Sequence, residues 1–401
     1  MRTAECQPAA QPPDGKDRDV QRRRGGSHVR SVRRTGADTN RAINEGYGGG
    51  VSQAVSKQEK LPARTDVVEL APGVLQTQLP IELPGLGHVN MYVLEDTDGV
   101  AVVDPGLPGR ATWKAINHRL ALIGVPLRRV HTIVVTHSHP DHFGGARRLA
   151  KESGARIITH ASFRMWWDPL EPDDLNPEDL ATEMLPENRR SFRETPWGGD
   201  GYDIAWRNRL YYASHRKYPR LFPSVRPTHR VNDGDAVMLA GRRWVAMHTP
   251  GHTGDHLCLF DEECGLVISG DHVLPNITPH ISGMTLARDP LKRFFASLDK
   301  MARLGDTVRL ALPAHGNPFT DLAGRCVDIR RHHEGRLDKI RQASADYQRP
   351  ATVMEIASQV FSARAQGPMA DSETYAHLEH LRLAGQVIRR DVNGIAEYVV
   401  S

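Results

Sequence analysis

The run Thr136-His137-Ser138-His139-Pro140-Asp141-His142 constrains this chain more than any other feature, because it sets three imidazoles and a carboxylate directly behind an apolar strand. Titratable side chains crowded at one turn repel or desolvate one another unless a cation collects them. The strand reads as Val130-His131-Thr132-Ile133-Val134-Val135, and a helix is expected to begin near Phe143-Gly144-Gly145. The fold must therefore present a strand-to-helix connection, where α/β architectures gather reactive groups on a rigid scaffold. His137 and His139, two apart, project to the same side of an extended segment, whereas the adjacent Asp141 and His142 diverge, which suits two ions better than one. Neutral imidazole with carboxylate is borderline-to-hard ligation, fitting zinc, iron or manganese better than copper. One histidine alone is most often an ordinary surface or core residue; the cluster is not read that way.

Three later segments have the form to complete such a site. Thr249-Pro250-Gly251-His252 follows the strand Arg243-Trp244-Val245-Ala246-Met247-His248, so His252 stands at a turn. Leu266-Val267-Ile268-Ser269-Gly270-Asp271 is an apolar strand ending in Gly-Asp, where glycine allows close backbone approach and the carboxylate sits at the strand's tip. A carboxylate there can bridge two cations. Val308-Arg309-Leu310-Ala311-Leu312-Pro313-Ala314-His315 is another strand closing on a histidine, the expected last ligand of a second ion. Each is weak alone, since His and Asp are common at turns and caps; four strand-end motifs in one chain are strong.

Through these residues the chain resembles the metallo-β-lactamase-fold hydrolases, over roughly residues 65–330. The resemblance implies one metal held by His137, His139 and His252, a second held by Asp141, His142 and His315, and Asp271 bridging both. It also implies an α+β fold, a four-layer αββα sandwich of two similar halves with the dimetal site at one edge. Two divalent ions ~3.5–4 Å apart would lower the pKa of a shared water toward ~7, supplying a hydroxide nucleophile without a protein nucleophile. Asp141 is the expected catalytic residue, ligating one ion and orienting that nucleophile. The pair Asp141 and Asp271 looks like the hydroxyacylglutathione hydrolase pattern rather than the antibiotic-hydrolysing one. Thr136 and His272 are candidates for support behind the ligands, and Asn276 or His280 for substrate contact, with packing or turn roles equally compatible.

At 401 residues the chain is long enough for one large domain and an accessory one. No apolar stretch approaches the ~20 residues needed to span a bilayer, and no continuous apolar signal core is present, so cytoplasm is the expected location. Cys6, Cys258, Cys264 and Cys326 show no CxxC spacing and do not read as a disulfide framework; Cys258 and Cys264 could face each other across the turn Asp261-Glu262-Glu263, but buried free thiols are the expectation. Residues 1–60 carry twelve Lys/Arg against seven Asp/Glu and almost no apolar periodicity, and read as a disordered basic tail, leaving a nearly neutral body. Residues 61–330 form the expected catalytic domain, with an aromatic-rich insertion over 160–231 that holds Trp166, Trp167, Trp197 and Trp206. Most insertion aromatics are expected in a core and a few along an apolar pocket, and Asp173–Asp179 is acidic.

Residues 331–401 read as helices followed by a β-hairpin turning at Asn393-Gly394, which resembles a small winged-helix domain like that of the β-lactamase-like protein 2 group. From Arg330 to Ser401 ten basic residues face nine acidic ones, which disfavours nucleic acid as a partner and favours packing or a homodimer contact. Two functions stand: hydrolysis of a small-molecule ester, thioester or lactone, and, second to it, a phosphodiesterase or ribonuclease that binds RNA through the tail.

Overall fold

Strands buried on both faces set the architecture. Along Val100–Val103 the side chains alternate between two cores, Val100 and Val102 into one and Ala101 and Val103 into another, the period of two that a pleated strand imposes. The computed structural model describes residues 32–34, 58–83, 85–165, 194–199 and 225–401.

The first sheet follows the chain: β1 (Val32–Arg34), β2 (Val67–Ala71), β3 (Val74–Leu83), β4 (Leu86–Glu95), β5 (Val100–Val103), β6 (Val130–Val134), β7 (Arg156–His160) and β8 (His229–Val231). Strands β2 to β5 form an antiparallel meander, and β5 to β8 are parallel. Helix α1 (Arg110–Leu122) crosses from β5 to β6, and the short α2 (Pro140–Phe143) and α3 (Ala146–Ser153) cross from β6 to β7. The second sheet has the order β13-β12-β11-β10-β9, built from β9 (Ala236–Leu239), β10 (Arg242–His248), β11 (Leu257–Asp261), β12 (Leu266–Gly270) and β13 (Leu310–Pro313). Helix α4 (Pro290–Ala302), capped by the Asp289 carboxylate, carries the chain from β12 to its parallel neighbour β13.

Three cores stack these layers. Ile116 and Leu120 of α1 and Leu149 of α3 cover one face of the first sheet. The other face meets the second sheet through Tyr92, Val103 and Val134 against Trp244, Leu257, Leu259 and Leu312. Cys258, Phe260 and Val267 point the opposite way, to Phe294 of α4 and Ile329 of α5 (Leu322–Asp346). Helices, sheet, sheet and helices follow one another, as expected.

That last core continues without a break into the C-terminal elements: α6 (Val353–Val360), α7 (Pro368–Leu383) and a sheet ordered β14-β16-β15, from β14 (Ala351–Thr352), β15 (Val387–Val392) and β16 (Ile395–Val400). The boundary expected after residue 330 falls inside α5, whose apolar residues Cys326, Ile329, Leu337 and Ile340 serve one shared core. Thr352 and Glu355 form the capping box that starts α6. Asn393 and Gly394 take φ of 51° and 77°, the left-handed pair that a tight hairpin turn requires.

Other expectations shift. Within the expected tail, Val32–Arg34 is an edge strand and Gln58–Lys60 a 3-10 turn with Glu59 fully buried. Of the insertion aromatics, Phe163 and Trp197 are buried in cores; Trp166, Trp167, Trp206 and the acidic run Asp173–Asp179 lie outside the described residues. Cys258 and Cys326 are buried free thiols, but Cys264 is disulfide-bonded. Among the described residues no helix is long and apolar enough to cross a membrane.

Candidate metal centre

Four strand ends of the two sheets converge on one edge and bring together all seven residues singled out from the sequence. His137 and His139 follow β6, His252 follows β10, Asp271 follows β12 and His315 follows β13. Asp141 and His142 are not on a loop as expected: Pro140 at the first helical position begins α2 there, with His139 as its N-cap. Gly270 takes a left-handed φ of 52°, and a Cβ built on it would lie 2.6 Å from His256 Nε2, so only glycine lets Asp271 reach the centre.

Two donor sets result. His139 Nδ1 lies 3.0 Å from His137 Nε2 and 3.1 Å from His252 Nε2. The other nitrogens fix the tautomers: His252 Nδ1–H donates to the His280 carbonyl at 2.8 Å, and His137 Nδ1–H donates to Thr136 Oγ1 at 3.0 Å, whose own proton goes to Asp104. The His137 and His252 nitrogens therefore turn bare lone pairs toward His139. Donors around a tetrahedral zinc at ~2.0–2.1 Å would lie about 3.3 Å apart, close to this spacing. In the second set, Asp141 Oδ2 is 3.5 Å from both His142 Nε2 and His315 Nε2. His315 Nδ1–H donates to the His88 carbonyl and His142 Nδ1–H to Asp104 Oδ2, at 2.8 and 2.9 Å. Asp271 stands between the sets, its Oδ2 3.5 Å from both His252 Nε2 and His142 Nε2 and its Oδ1 3.3 Å from His315 Nε2.

This arrangement fits divalent ions. His142 Nε2, His315 Nε2 and Asp271 Oδ1 are buried with no hydrogen-bond partner, a state that is costly without a cation. His137, His139, His252 and Asp271 form one group that could hold a metal, and Asp141, His142 and His315 another. Their electrostatics differ. Burial, followed by the field of His252, holds the His139 ring down to about 3, and burial with His142 holds His137 well below its usual range. Burial also pulls down on His315, but the Asp271 and Asp141 carboxylates overcome it and raise that ring to about 10. His142 is raised likewise by Asp141, Asp271 and Asp104, and Asp141 in return is held well below the carboxylate range despite its burial.

The metallo-beta-lactamase superfamily domain matches residues 84–315, more than half of the chain and every donor just described. The chain belongs to the metallo-beta-lactamase superfamily. Over 310 residues it is 25% identical to the probable metallo-hydrolase YqjP of Bacillus subtilis, covering 74% of this chain and 88% of that protein. A shorter match, 36% over 110 residues, covers 27% of this chain and 31% of the lactamase-like protein nscB of Aspergillus fumigatus. Among solved structures, a metallo-beta-lactamase family protein from Thermus thermophilus aligns with TM-score 0.64 and 29% identity over 83% of this chain and 100% of its own. A beta-lactamase domain protein from Burkholderia ambifaria aligns with TM-score 0.63 and 29% identity over 84% and 96%. The chain is a metal-dependent hydrolase of this superfamily.

Around the donors the superfamily site holds residues that sequence reasoning passed over. Asp104, in the left-handed region at φ 53°, binds the Thr136 backbone and hydroxyl as well as His142. Its signal was present, since Val100-Ala101-Val102-Val103-Asp104-Pro105-Gly106 is another apolar strand ending in a carboxylate at a turn. His256 accepts the Asp271 N–H on Nε2 at 3.0 Å and so donates from Nδ1 to Thr249 Oγ1 at 2.8 Å, fixing the bridging carboxylate's backbone. Nothing in the sequence distinguishes it from a core histidine. Thr136 has the supporting place expected of it. His272 instead packs edge-on against Phe294, and His280 supports His252 through its carbonyl.

Proposed function

We propose that this superfamily hydrolase is dinuclear, with His137, His139 and His252 holding one ion, Asp141, His142 and His315 the other, and Asp271 shared, and that it cleaves a small-molecule ester, thioester or lactone. One observation carries the reading: His137, His142, His252 and His315 all turn Nε2 inward, because each spends its Nδ1 proton on a carbonyl, a hydroxyl or a carboxylate behind it. When bound, two divalent ions, zinc first with iron or manganese also compatible with the donors, supply Lewis acidity toward a carbonyl and make water acidic enough to attack at neutral pH.

The chain's own part is to hold, orient and move a proton. Asp141, kept ionised by His142 and His315, is the acceptor for the proton of the attacking water, and its fixed place at the head of α2 sets the direction of that hydrogen bond. Asp271, tied through its N–H to His256, keeps the two donor sets in register. Asp104 joins the sets from behind by bonding to both His142 and Thr136.

Charge supports a small substrate over a polyanion. In the C-terminal segment, which we read as a winged-helix-like module, Arg336 pairs with Glu373, Arg382 with Glu379, and Arg389 with Glu379 and Asp391. Guanidinium groups engaged in this way leave little basic surface for a phosphate backbone. The chain between His252 and Asp271 contains only β11, β12 and their turn, with no added nucleic-acid-binding element.

The test is metal content and initial rates on zinc-, iron- and manganese-loaded protein, with thioesters, lactones and a bis-phosphodiester side by side. Two metals per chain and turnover of thioesters or lactones alone are expected. Phosphodiester cleavage without acyl hydrolysis overturns the substrate class, and fewer than two metals overturns the dinuclear site.

A further inference from the structure

Residues 272–286, which follow Asp271, contain no helix or strand, yet this segment supplies the group that orients a candidate metal ligand. The His280 carbonyl accepts the Nδ1–H of His252 at 2.8 Å. A carbonyl on irregular backbone keeps such a bond only if something outside the segment fixes it. That something is α7, which fastens the segment at three points through two adjacent residues. His280 Nδ1 meets Glu373 Oε2 at 3.3 Å. Ser282 Oγ meets Ser372 Oγ at 3.0 Å, and the Gly283 N–H donates to Ser372 Oγ and to the Ser372 carbonyl at 3.0 and 3.1 Å.

Glu373 is held in turn. Arg336 of α5 donates to its Oε1 at 3.1 Å, and its backbone carbonyl accepts from His377 Nδ1 at 2.7 Å. Those bonds leave His377 Nε2 facing His333 Nδ1 at 3.1 Å, in a core shared with Phe294. Burial alone would push the Glu373 carboxyl up, but the bond from His280 and the fields of His377 and Arg336 bring it down to about 2. At neutral pH it is a fixed anionic acceptor for the His280 ring.

We propose that Glu373 is a positioning residue for the His252 imidazole, acting through His280, whose ring it grips and whose carbonyl aims His252. The inference rests on the reading that His252 ligates a metal. It gives the C-terminal helix a part in the metal centre although none of its residues belongs to either donor set. Loss of the grip leaves the segment fastened only at Ser282 and Gly283, and in the three-nitrogen set of His137, His139 and His252 the aim of His252 loosens. The second set, backed by Asp104 and the His88 carbonyl, has no connection to Glu373 and keeps its ion.

The experiment is competition of zinc-loaded full-length protein with a chelator, resolving the two metals, together with the visible absorption of the cobalt-substituted protein. Variants Glu373→Gln, Arg336→Met and Ser372→Ala are compared. Glu373→Gln is expected to release one of the two zinc ions about 10–100-fold more readily, the scale of a lost partner behind a ligand, and to change the cobalt spectrum. Arg336→Met breaks the same ion pair from its other side and leaves His280 gripped, so its zinc retention is expected within about twofold of wild type. Ser372→Ala is expected to shift release in the same direction as Glu373→Gln but less, and carries the test should Glu373→Gln fail to fold. Unchanged retention in Glu373→Gln or, failing its folding, in Ser372→Ala overturns the proposal, and so does an equal loss in Arg336→Met, which marks the pair as structural only. Wild-type protein that binds no zinc overturns the dinuclear reading instead.

Discussion

The two donor sets sit on either side of Asp271 yet solve opposite electrostatic problems. The set of His137, His139 and His252 gathers three nitrogens, and desolvation keeps the rings of His137 and His139 neutral. The set of Asp141, His142 and His315 places rings among carboxylates that hold on to their protons in the metal-free protein. One set waits as lone pairs pressed together; the other is already neutralised by protons that an ion must displace. The first is therefore strained toward a cation and the second is in competition with acid.

The largest expected effect comes from the residue the two sets share. Asp271→Ala should empty both sets and reduce turnover by more than the about 10–100-fold that a lost supporting partner costs; two metals retained in the purified variant would break the shared-carboxylate reading. Asp141→Ala should lower kcat by about 10²–10⁴, the usual scale of a lost proton acceptor, while the ion of the three-nitrogen set stays bound. Measured kinetics near wild type on metal-loaded Asp141→Ala would remove that residue from the chemistry. Next, the sets should separate by pH. His142 and His315 are raised and thus protonated at pH 7, so affinity at their set should climb up to about tenfold per pH unit for each proton displaced. His137 and His139 are lowered and already neutral, so they release no proton to an ion and add no such slope at theirs. Zinc titrations between pH 6 and 8 that gave one common slope would erase the contrast. The smallest effect is at Thr136→Val, which removes the acceptor behind His137 and should weaken chiefly the three-nitrogen set, by about tenfold at most.

The sequence makes the donors legible because each lies at the end of an apolar strand, and strand ends are where hydrophobic pattern and chemistry change abruptly. Strands β6, β10, β12 and β13 lie within a residue or two of the expected segments for the same reason. What supports the donors is harder to read. His256 and Glu373 act through contacts 15 and 93 residues away along the chain, which no local period encodes. The domain boundary expected after residue 330 failed on similar grounds: Arg330-Arg331-His332-His333-Glu334 looks like a polar junction, but its spacing puts His333 on the buried side of one long helix. Asp104 could have been found, since its strand ends like the one before Asp271.

The ties that close the centre also set when it can exist. Asn90 of β4 donates to the carbonyls of Pro313 and Gly316, and Tyr92 donates to Pro313, so the His315 turn is held by a strand more than 220 residues earlier. At about 5–20 residues per second of synthesis, His137, His139 and His142 are made while the partner turn is still about 10–35 seconds from completion. During that interval the first half carries a histidine cluster without its closing ligand or its second sheet. A cation met then can bind only a fragment of the final site, and the finished centre must wait for the slow, long-range pairing that such contacts impose.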